Sequence, residues 1–199
     1  GGVVDTYQPE TIAEPVEKKK QQPGVVKFLV DVLETLIWAV VLFVLINLVS
    51  ARIRVDGGSM LPTLTNGELV IVNKLVYRLG EPKRGDIIVF YFPVDPSQEF
   101  IKRVIGLPGD QVSIHKGTVT INGQRLEEPY LSVYTNYDGD WTVGEGQLFV
   151  LGDNRNNSLD SHNWGTVPMD YVIGKALFIY WPFDNLGIVE HGSPVLVAP

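Results

Sequence analysis

The chain has 199 residues, 45% of them hydrophobic, and a formal net charge of -7 at pH 7. This acidic balance lacks the basic footprint of nucleic-acid-binding proteins, so we expect no nucleic-acid partner. The sequence contains no cysteine, which excludes thiol catalysis, a sortase-like transpeptidase, disulfides and cysteine-ligated metals. His115, His162 and His191 lack the spacing of metal ligands, so we predict no metal and no cofactor.

The first part of the chain predicts a tail followed by a membrane-spanning helix. Residues 1–24 are polar, with several prolines and a lysine cluster, and we predict a disordered cytoplasmic tail. Residues 25–50 contain an apolar segment from Phe28 to Val49, which as a helix would extend roughly 33 Å and cross a bilayer. Lysines on its N-terminal side predict a cytoplasmic N-terminus. We therefore expect a single-pass protein of the plasma (inner) membrane, with the rest of the chain outside the cytoplasm.

Several residues weaken this interpretation and leave alternatives open. Asp31 and Glu34 lie in the first turns of the segment, and Arg52 and Arg54 on its far side dilute the charge bias. A buried amphipathic helix is disfavoured by the uninterrupted apolar stretch that follows Glu34. A cleaved signal peptide would need a shorter apolar core and a cleavage site of small residues, which the sequence after the segment matches only weakly.

Beyond residue 50 the pattern changes to short β-rich runs separated by glycine, proline and asparagine turns. Asn122-Gly123 tolerates the positive φ angles of a type I′ turn and predicts a hairpin centred there. We expect a mostly β, partly barrel-like domain over residues 51–199. The predicted strands are Glu68–Val72, Asp86–Phe92, Phe100–Ile105, Gln111–His115, Thr118–Ile121, Gln147–Leu151 and Lys175–Tyr180.

Ser59 is the candidate nucleophile. Gly57 and Gly58 precede it and allow the backbone to approach a substrate and to adopt unusual φ and ψ angles. Most serines in such a turn have no catalytic role, and a serine hydroxyl near its free pKa needs a base before it can attack a carbonyl. The motif alone therefore does not establish an active site.

Lys102 is the candidate base, because it lies in a predicted strand among apolar residues. Successive strand residues point to opposite faces, so Lys102 and Arg103 face different sides. On an apolar face, loss of hydration lowers the pKa of a lysine, and its neutral amine can accept a proton. The opposite arrangement, with Lys102 at the surface and Arg103 inward, is slightly favoured by the strand pattern alone.

The polar loop Gly152–His162 follows an apolar strand. It is either a solvated loop or a cross-bonded support for a site. In the second case Ser158 could orient an amine, while Asp153, Asp160 and Arg155 could hold the loop by ion pairs. His162 could also be the base of a Ser-His-Asp triad, oriented by either aspartate, and the residues leave this alternative open.

Four ordered segments, followed by a closing fifth, stand out along the chain: Ser59–Leu64, Gly85–Phe90, Phe100–Asp110, Gly152–Ser161 and Gly174–Phe183. Together they resemble the ordered sequence boxes of bacterial type I signal peptidases, the leader peptidase family that uses a Ser-Lys dyad. The resemblance covers most of residues 50–185. It implies a Ser-Lys peptidase fold of mostly β structure behind one N-terminal transmembrane helix. It also implies a membrane-anchored serine endopeptidase that removes signal peptides from exported preproteins through an acyl-enzyme.

The resemblance also implies roles for individual residues. It assigns Ser59 as the nucleophile, Lys102 as the general base and Ser158 as the hydroxyl that positions the lysine. The backbone N–H of Ser59 is expected to contribute to the oxyanion hole. We expect shallow pockets for small substrate side chains, lined by Val55, Met60, Leu64, Phe100 and Ile101.

Two positions depart from the pattern of the family. Some members have a serine two residues before the nucleophile, whose hydroxyl completes the oxyanion hole. Here that residue is Gly57, so a backbone group or a water must substitute. An arginine often follows the Asp-Ser of the last box, where this chain has His162. Any ion pair of His162 with Asp153 or Asp160 should therefore be weaker and pH-sensitive.

Other functions remain as alternatives. A self-cleaving repressor-type Ser-Lys protease is disfavoured by the membrane segment and by the lack of a DNA-binding region. A non-catalytic, membrane-tethered adaptor in secretion would need neither Ser59 nor Lys102, and both are present. The expected partners are preprotein signal peptides and membrane lipid, with the protein-export machinery as a further candidate.

Overall fold

The computed structural model describes residue 2 and residues 24–131, 133–192 and 194–197. The predicted tail therefore lies almost entirely outside the described residues. The described chain falls into two compact units that divide between Leu42 and Phe43. Helix α1, Val25–Val49, is long and apolar enough to cross a membrane, and none of its residues is buried.

Antiparallel strands make up most of the second unit. In chain order they are β1 (Ser50–Arg54), β2 (Leu69–Asn73), β3 (Ile87–Tyr91), β4 (Glu99–Gly106), β5 (Gln111–His115), β6 (Thr118–Ile121), β7 (Gln124–Glu127), β8 (Gly139–Thr142), β9 (Gln147–Leu151), β10 (Val167–Pro168), β11 (Val172–Trp181), β12 (Gly187–Ile188) and β13 (Val195–Val197). A short helix, α2 (Ser161–Trp164), lies between β9 and β10. The larger sheet has the order β1-β2-β11-β3-β4-β9-β10, with β12 paired to β11, and the smaller sheet has the order β13-β7-β6-β5-β8.

The predicted mostly β fold is confirmed, and each predicted strand falls on an observed one. The hairpin is also confirmed, since Asn122 and Gly123 form the turn between β6 and β7 with φ angles of 51° and 81°. The sequence analysis does not predict β1, β8 or β13, nor the two-residue strands β10 and β12. β1 contains two arginines and β8 has the sequence Gly-Asp-Trp-Thr, so neither contains the run of β-branched residues that indicates a strand.

Hydrophobic packing covers both faces at the centre of the larger sheet. On β3, Ile87 and Val89 belong to one cluster, whereas Ile88 and Phe90 belong to another on the opposite face. A strand buried on both faces has no alternation of polar and apolar residues, which explains the continuous apolar run of β3. β4, the neighbour of β3, is also buried on both faces, since Ile101 belongs to the first of these clusters and Val104 to the second.

A buried ion pair connects the loop after β9 with the segment after β7. The Arg155 guanidinium donates to both carboxylate oxygens of Glu128, and the two side chains are 0% and 6% exposed. Arg155 Nε also donates to the backbone oxygen of Gly152 at 3.2 Å. The polar loop is thereby fixed to the smaller sheet.

We expect Arg155→Ala to lower the free energy of unfolding by about 3–5 kcal/mol, because it leaves the Glu128 carboxylate buried without its partner. Arg54→Ala is the matched control. Its pair with Asp56 spans 3.6 Å between side chains that are 66% and 83% exposed, so little stability should be lost. Urea denaturation of both variants in the same detergent measures the difference, and equal losses would contradict the prediction.

Candidate active site

The segment between β1 and β2 holds Ser59 in a loop with a closed base. Gly67 N donates a hydrogen bond to Val55 O at 2.8 Å, which joins the two ends of the loop. Met60 and Leu64, on either side of the loop's far end, are buried in the hydrophobic core. The loop is therefore anchored by apolar side chains while Ser59 remains partly exposed.

Two asparagines hold the backbone on either side of the serine. Asn66 Oδ1 accepts a hydrogen bond from Gly57 N at 2.8 Å, and Gly57 has a φ of 85° that favours glycine. Asn154 Nδ2 donates to Gly58 O at 2.9 Å, and Asn154 N donates to Ser59 O at 3.0 Å. The sequence analysis does not identify either asparagine as a site residue. The only available signals were the Asn-Gly turn dipeptide at Asn66 and the polar loop around Asn154.

Lys102 reaches the serine from strand β4. Its Nζ lies 2.8 Å from Ser59 Oγ and 3.0 Å from the backbone oxygen of Ile101. Only 4% of the lysine is exposed. The predicted nucleophile and the predicted base, which are distant in sequence, are thus within hydrogen-bonding distance in the structure.

Burial lowers the pKa of Lys102 to about 8, because the ammonium ion loses its hydration. The negative charges of Asp160 and Asp153 act in the opposite direction and raise the pKa, but desolvation is the larger effect. The outcome is an amine that is partly neutral near physiological pH.

Arg103 is buried on the opposite face of β4 from Lys102. Its Nε and Nη2 donate to the Asp153 carboxylate at 2.8 and 2.6 Å, and neither side chain is exposed. The arrangement with Lys102 at the surface, which the strand pattern slightly favours, is therefore wrong. Alternation between faces still holds, but both faces of β4 are covered, so both cations lie in the interior.

Asp160 organises the polar loop from a fully buried position. One carboxylate oxygen accepts from Gly152 N at 2.9 Å, and the other lies 2.6 Å from His162 Nδ1. The His162 ring stacks on Tyr137 with 3.8 Å between centroids. His162 therefore lies on Asp160, one of the two aspartates considered as its partner. The candidate base that contacts the Ser59 hydroxyl is Lys102.

Ser158 lies in the polar loop that Asp160 organises, and it makes no hydrogen bond to Lys102. Its Oγ is buried and has no hydrogen-bond partner among the described residues. Gly152 packs so closely that an added Cβ would collide with Ser158 Oγ and with the Ser59 carbonyl oxygen. Gly152 therefore fixes the spacing between the nucleophile loop and the polar loop.

An open groove of about 670 Å³ contains Ser59 and Lys102. Phe100 and Ile101, two of the residues expected to form substrate pockets, line it together with Ile53. The other predicted pocket residues lie in the hydrophobic core: Val55, Met60 and Leu64. They are apolar neighbours in sequence, but their side chains anchor the loop from below.

The profile of the family described as "Signal peptidase, peptidase S26" matches residues 29–181. The chain belongs to this signal peptidase family. It is 40% identical to probable signal peptidase I-2 of Synechocystis, over 90% of this chain and 85% of the relative. It is 42% identical to signal peptidase I of Leptolyngbya laminosa, over 96% of both chains, and 43% identical to that of Bacillus caldolyticus, over 66% and 79%.

Membership of the signal peptidase family makes this chain an enzyme of the peptidase class and agrees with the resemblance of its sequence boxes. It supports hydrolysis of signal peptides by a serine peptidase. The apolar helix α1 is consistent with attachment to a membrane. Within the match, the residues that meet in the groove are Ser59 and Lys102.

We expect Gly152→Ala to reduce kcat by about 10²-fold, because the new methyl group must displace the Ser59 backbone or Ser158. KM should change much less, since Gly152 itself does not line the groove. Gly187→Ala is the control, because its nearest neighbour is 3.9 Å from the added Cβ. Steady-state hydrolysis of a fluorogenic peptide gives both constants. Similar kcat values for the two variants would argue against a spacing role.

Proposed function

We propose that this chain is a membrane-anchored signal peptidase that cleaves signal peptides from exported preproteins with a Ser59–Lys102 dyad. The observation that carries the proposal is the 2.8 Å contact between Lys102 Nζ and Ser59 Oγ, made by a lysine that is almost completely buried. Family membership supports the substrate class.

In the proposed mechanism, neutral Lys102 accepts the Ser59 proton as Oγ attacks the scissile carbonyl carbon. The tetrahedral intermediate collapses when the lysine returns that proton to the leaving amine, which releases the mature protein. Neutral Lys102 then deprotonates a water, which attacks the acyl-enzyme. The lysine returns this proton to Ser59 Oγ as the ester bond breaks, which frees the signal peptide and restores the serine. With a pKa of about 8, roughly one lysine in ten is neutral at pH 7.

We assign the backbone N–H of Ser59 as one donor to the developing oxyanion. Losing a donor typically costs about 3–4 kcal/mol in transition-state stabilisation, so a second donor is expected. An added Cβ at Gly57 would meet nothing within 4 Å, which leaves room there for a backbone group or a water. Ser158, whose buried hydroxyl has no hydrogen-bond partner among the described residues, is proposed to bond the lysine during the reaction.

The groove suits an extended peptide with small side chains next to the scissile bond. Ile53, Phe100 and Ile101 line the groove and supply apolar surface. Such shallow pockets bind small side chains and exclude large ones. The peptide's polar backbone is expected to pair with exposed strand edges.

The proposed topology has residues 1–24 in the cytoplasm, residues 25–50 across the membrane and residues 51–199 on the far side. Helix α1 accounts for the spanning segment. Membrane lipid and the protein-export machinery are then the neighbours of the enzyme, because its substrates emerge there. Family membership favours this function over the repressor-type protease and the non-catalytic adaptor.

We expect Ser59→Ala and Lys102→Met each to reduce preprotein cleavage by at least about 10²–10⁴-fold while the protein remains folded. Lys116→Met, which removes an exposed lysine from a hairpin, should retain activity. Cleavage of a model preprotein by the purified full chain measures the effect. Substantial cleavage by a folded Lys102→Met variant would refute the dyad.

The pH dependence separates a lysine base from a histidine base. Since Lys102 acts when neutral, kcat/KM should fall about tenfold per pH unit below its pKa of about 8 and level off above it. His162→Ala should retain most activity and the same profile, with a modest loss of stability from weaker support of Asp160. The profiles of both proteins are measured on one peptide. An inactive, folded His162→Ala variant would move the base to the imidazole.

A further inference from the structure

The loop that follows β2, residues 74–83, begins against the end of helix α1. Lys74 N donates to the backbone oxygen of Val49 at 3.0 Å, and Lys74 Nζ donates to that of Asn47 at 3.4 Å. These bonds connect the loop to the last turn of the helix. With α1 across a bilayer, the loop starts at the level of the lipid headgroups.

Hydrogen bonds fix the shape of this loop. Asn73 Oδ1 accepts from the backbone N–H groups of Leu75 and Val76, which sets the turn out of β2. Further along, Tyr77 Oη and Lys83 N both donate to one carboxylate oxygen of Asp86 at 2.9 Å. Lys175 Nζ donates to the other oxygen at 2.6 Å. Both ends of the loop are therefore attached to the sheet, and its tip projects from a rigid base.

The tip combines an apolar side chain with cations. Leu79 is 89% exposed, more than any other large apolar side chain among the described residues. Arg78 and Lys83 on either side of it are also exposed, and Glu81 is the only carboxylate between them. This basic stretch stands out in a chain whose net charge is -7. The adjacent Arg84 takes no part, because its guanidinium pairs with Asp110 at 3.0 Å.

We propose that the loop 74–83 is a docking site for the headgroups of anionic phospholipids. Arg78 and Lys83 bind the headgroup phosphates, and Leu79 enters the boundary between headgroups and acyl chains. The proposal rests on the membrane anchoring proposed above. Its consequence is positional: β2 pairs with β1, and β1 lines the groove, so docking of the loop sets the height of the groove above the membrane.

Because the sequence has no cysteine, Leu79→Cys gives a single site for an environment-sensitive fluorophore. The labelled full chain is reconstituted into vesicles of phosphatidylglycerol and phosphatidylcholine that contain a nitroxide-labelled lipid. We expect strong quenching at position 79. The control is Tyr134→Cys, whose original side chain is 84% exposed and lies outside this loop. Quenching at position 79 no greater than at position 134 would overturn the proposal and leave the loop free for a protein partner.

A charge test uses two matched double variants of the labelled protein. Arg78→Gln with Lys83→Gln should weaken docking by about 25-fold, at about fivefold per cation, and so remove most of the quenching. Lys116→Gln with Arg125→Gln removes the same charge from exposed positions in the smaller sheet and should leave it unchanged. Equal quenching in both variants would overturn the role of the two cations.

Peptide hydrolysis in detergent distinguishes failure of this proposal from failure of the proposed function. Both double variants should hydrolyse a soluble peptide at the parental rate, since neither touches the groove. Only the Arg78/Lys83 variant should lose activity on a preprotein embedded in anionic vesicles. A parental chain without peptidase activity would refute the proposed function, whereas the quenching result would still decide the lipid contact.

Discussion

Burial of the Lys102 ammonium group in the protein interior lowers its pKa. Most other features of the site depend on how the fold buries this group. A lysine in the middle of a strand is shielded from water only when other parts of the protein pack over its face of the sheet. In β4 the opposite face is covered as well, so the neighbouring Arg103 is also buried. That second cation requires the Asp153 carboxylate, because an unpaired charge in the interior is strongly destabilising. Asp153 in turn raises the pKa of the lysine, and desolvation must outweigh it.

The nucleophile is held by two different kinds of interaction. Apolar anchors, Met60 and Leu64, fix the depth of its loop in the core. Directional hydrogen bonds fix the orientation of the peptide groups around it: Asn66 accepts from Gly57 N, and Asn154 donates to Gly58 O. Packing alone tolerates small rotations of a loop, whereas a carbonyl or N–H held at hydrogen-bond distance does not. Together, packing and hydrogen bonds explain why Ser59, in a glycine-rich turn, is held at a fixed distance from Lys102 on another strand.

The extent to which the sequence predicts the site depends on the range of each interaction. Ser59 and Lys102 were identifiable because the boxes around them are local patterns. The burial of both Lys102 and Arg103 was not identifiable from the sequence, because it depends on which elements of the fold cover the two faces of the sheet. The pocket assignment of Met60 followed its proximity to the serine in sequence, but the direction of a side chain in a loop is set by the core. Asn66 was missed since its partner, Gly57, is defined only by the folded turn. The strands were predicted well where β-branched residues cluster and poorly in β1 and β8, whose pairing comes from neighbouring strands.

Strand β1 begins at Ser50, directly after helix α1 ends at Val49, so no linker separates the helix from a wall of the groove. In the membrane-anchored enzyme proposed above, a tether this short would convert the encounter with a membrane-held substrate into a search by lateral diffusion in two dimensions. Local concentrations for short tethers reach the millimolar range, without any added contact between enzyme and substrate. Pockets of low intrinsic affinity would be sufficient for such an enzyme. They would bind free peptides weakly, and this difference would protect soluble proteins whose loops carry small residues.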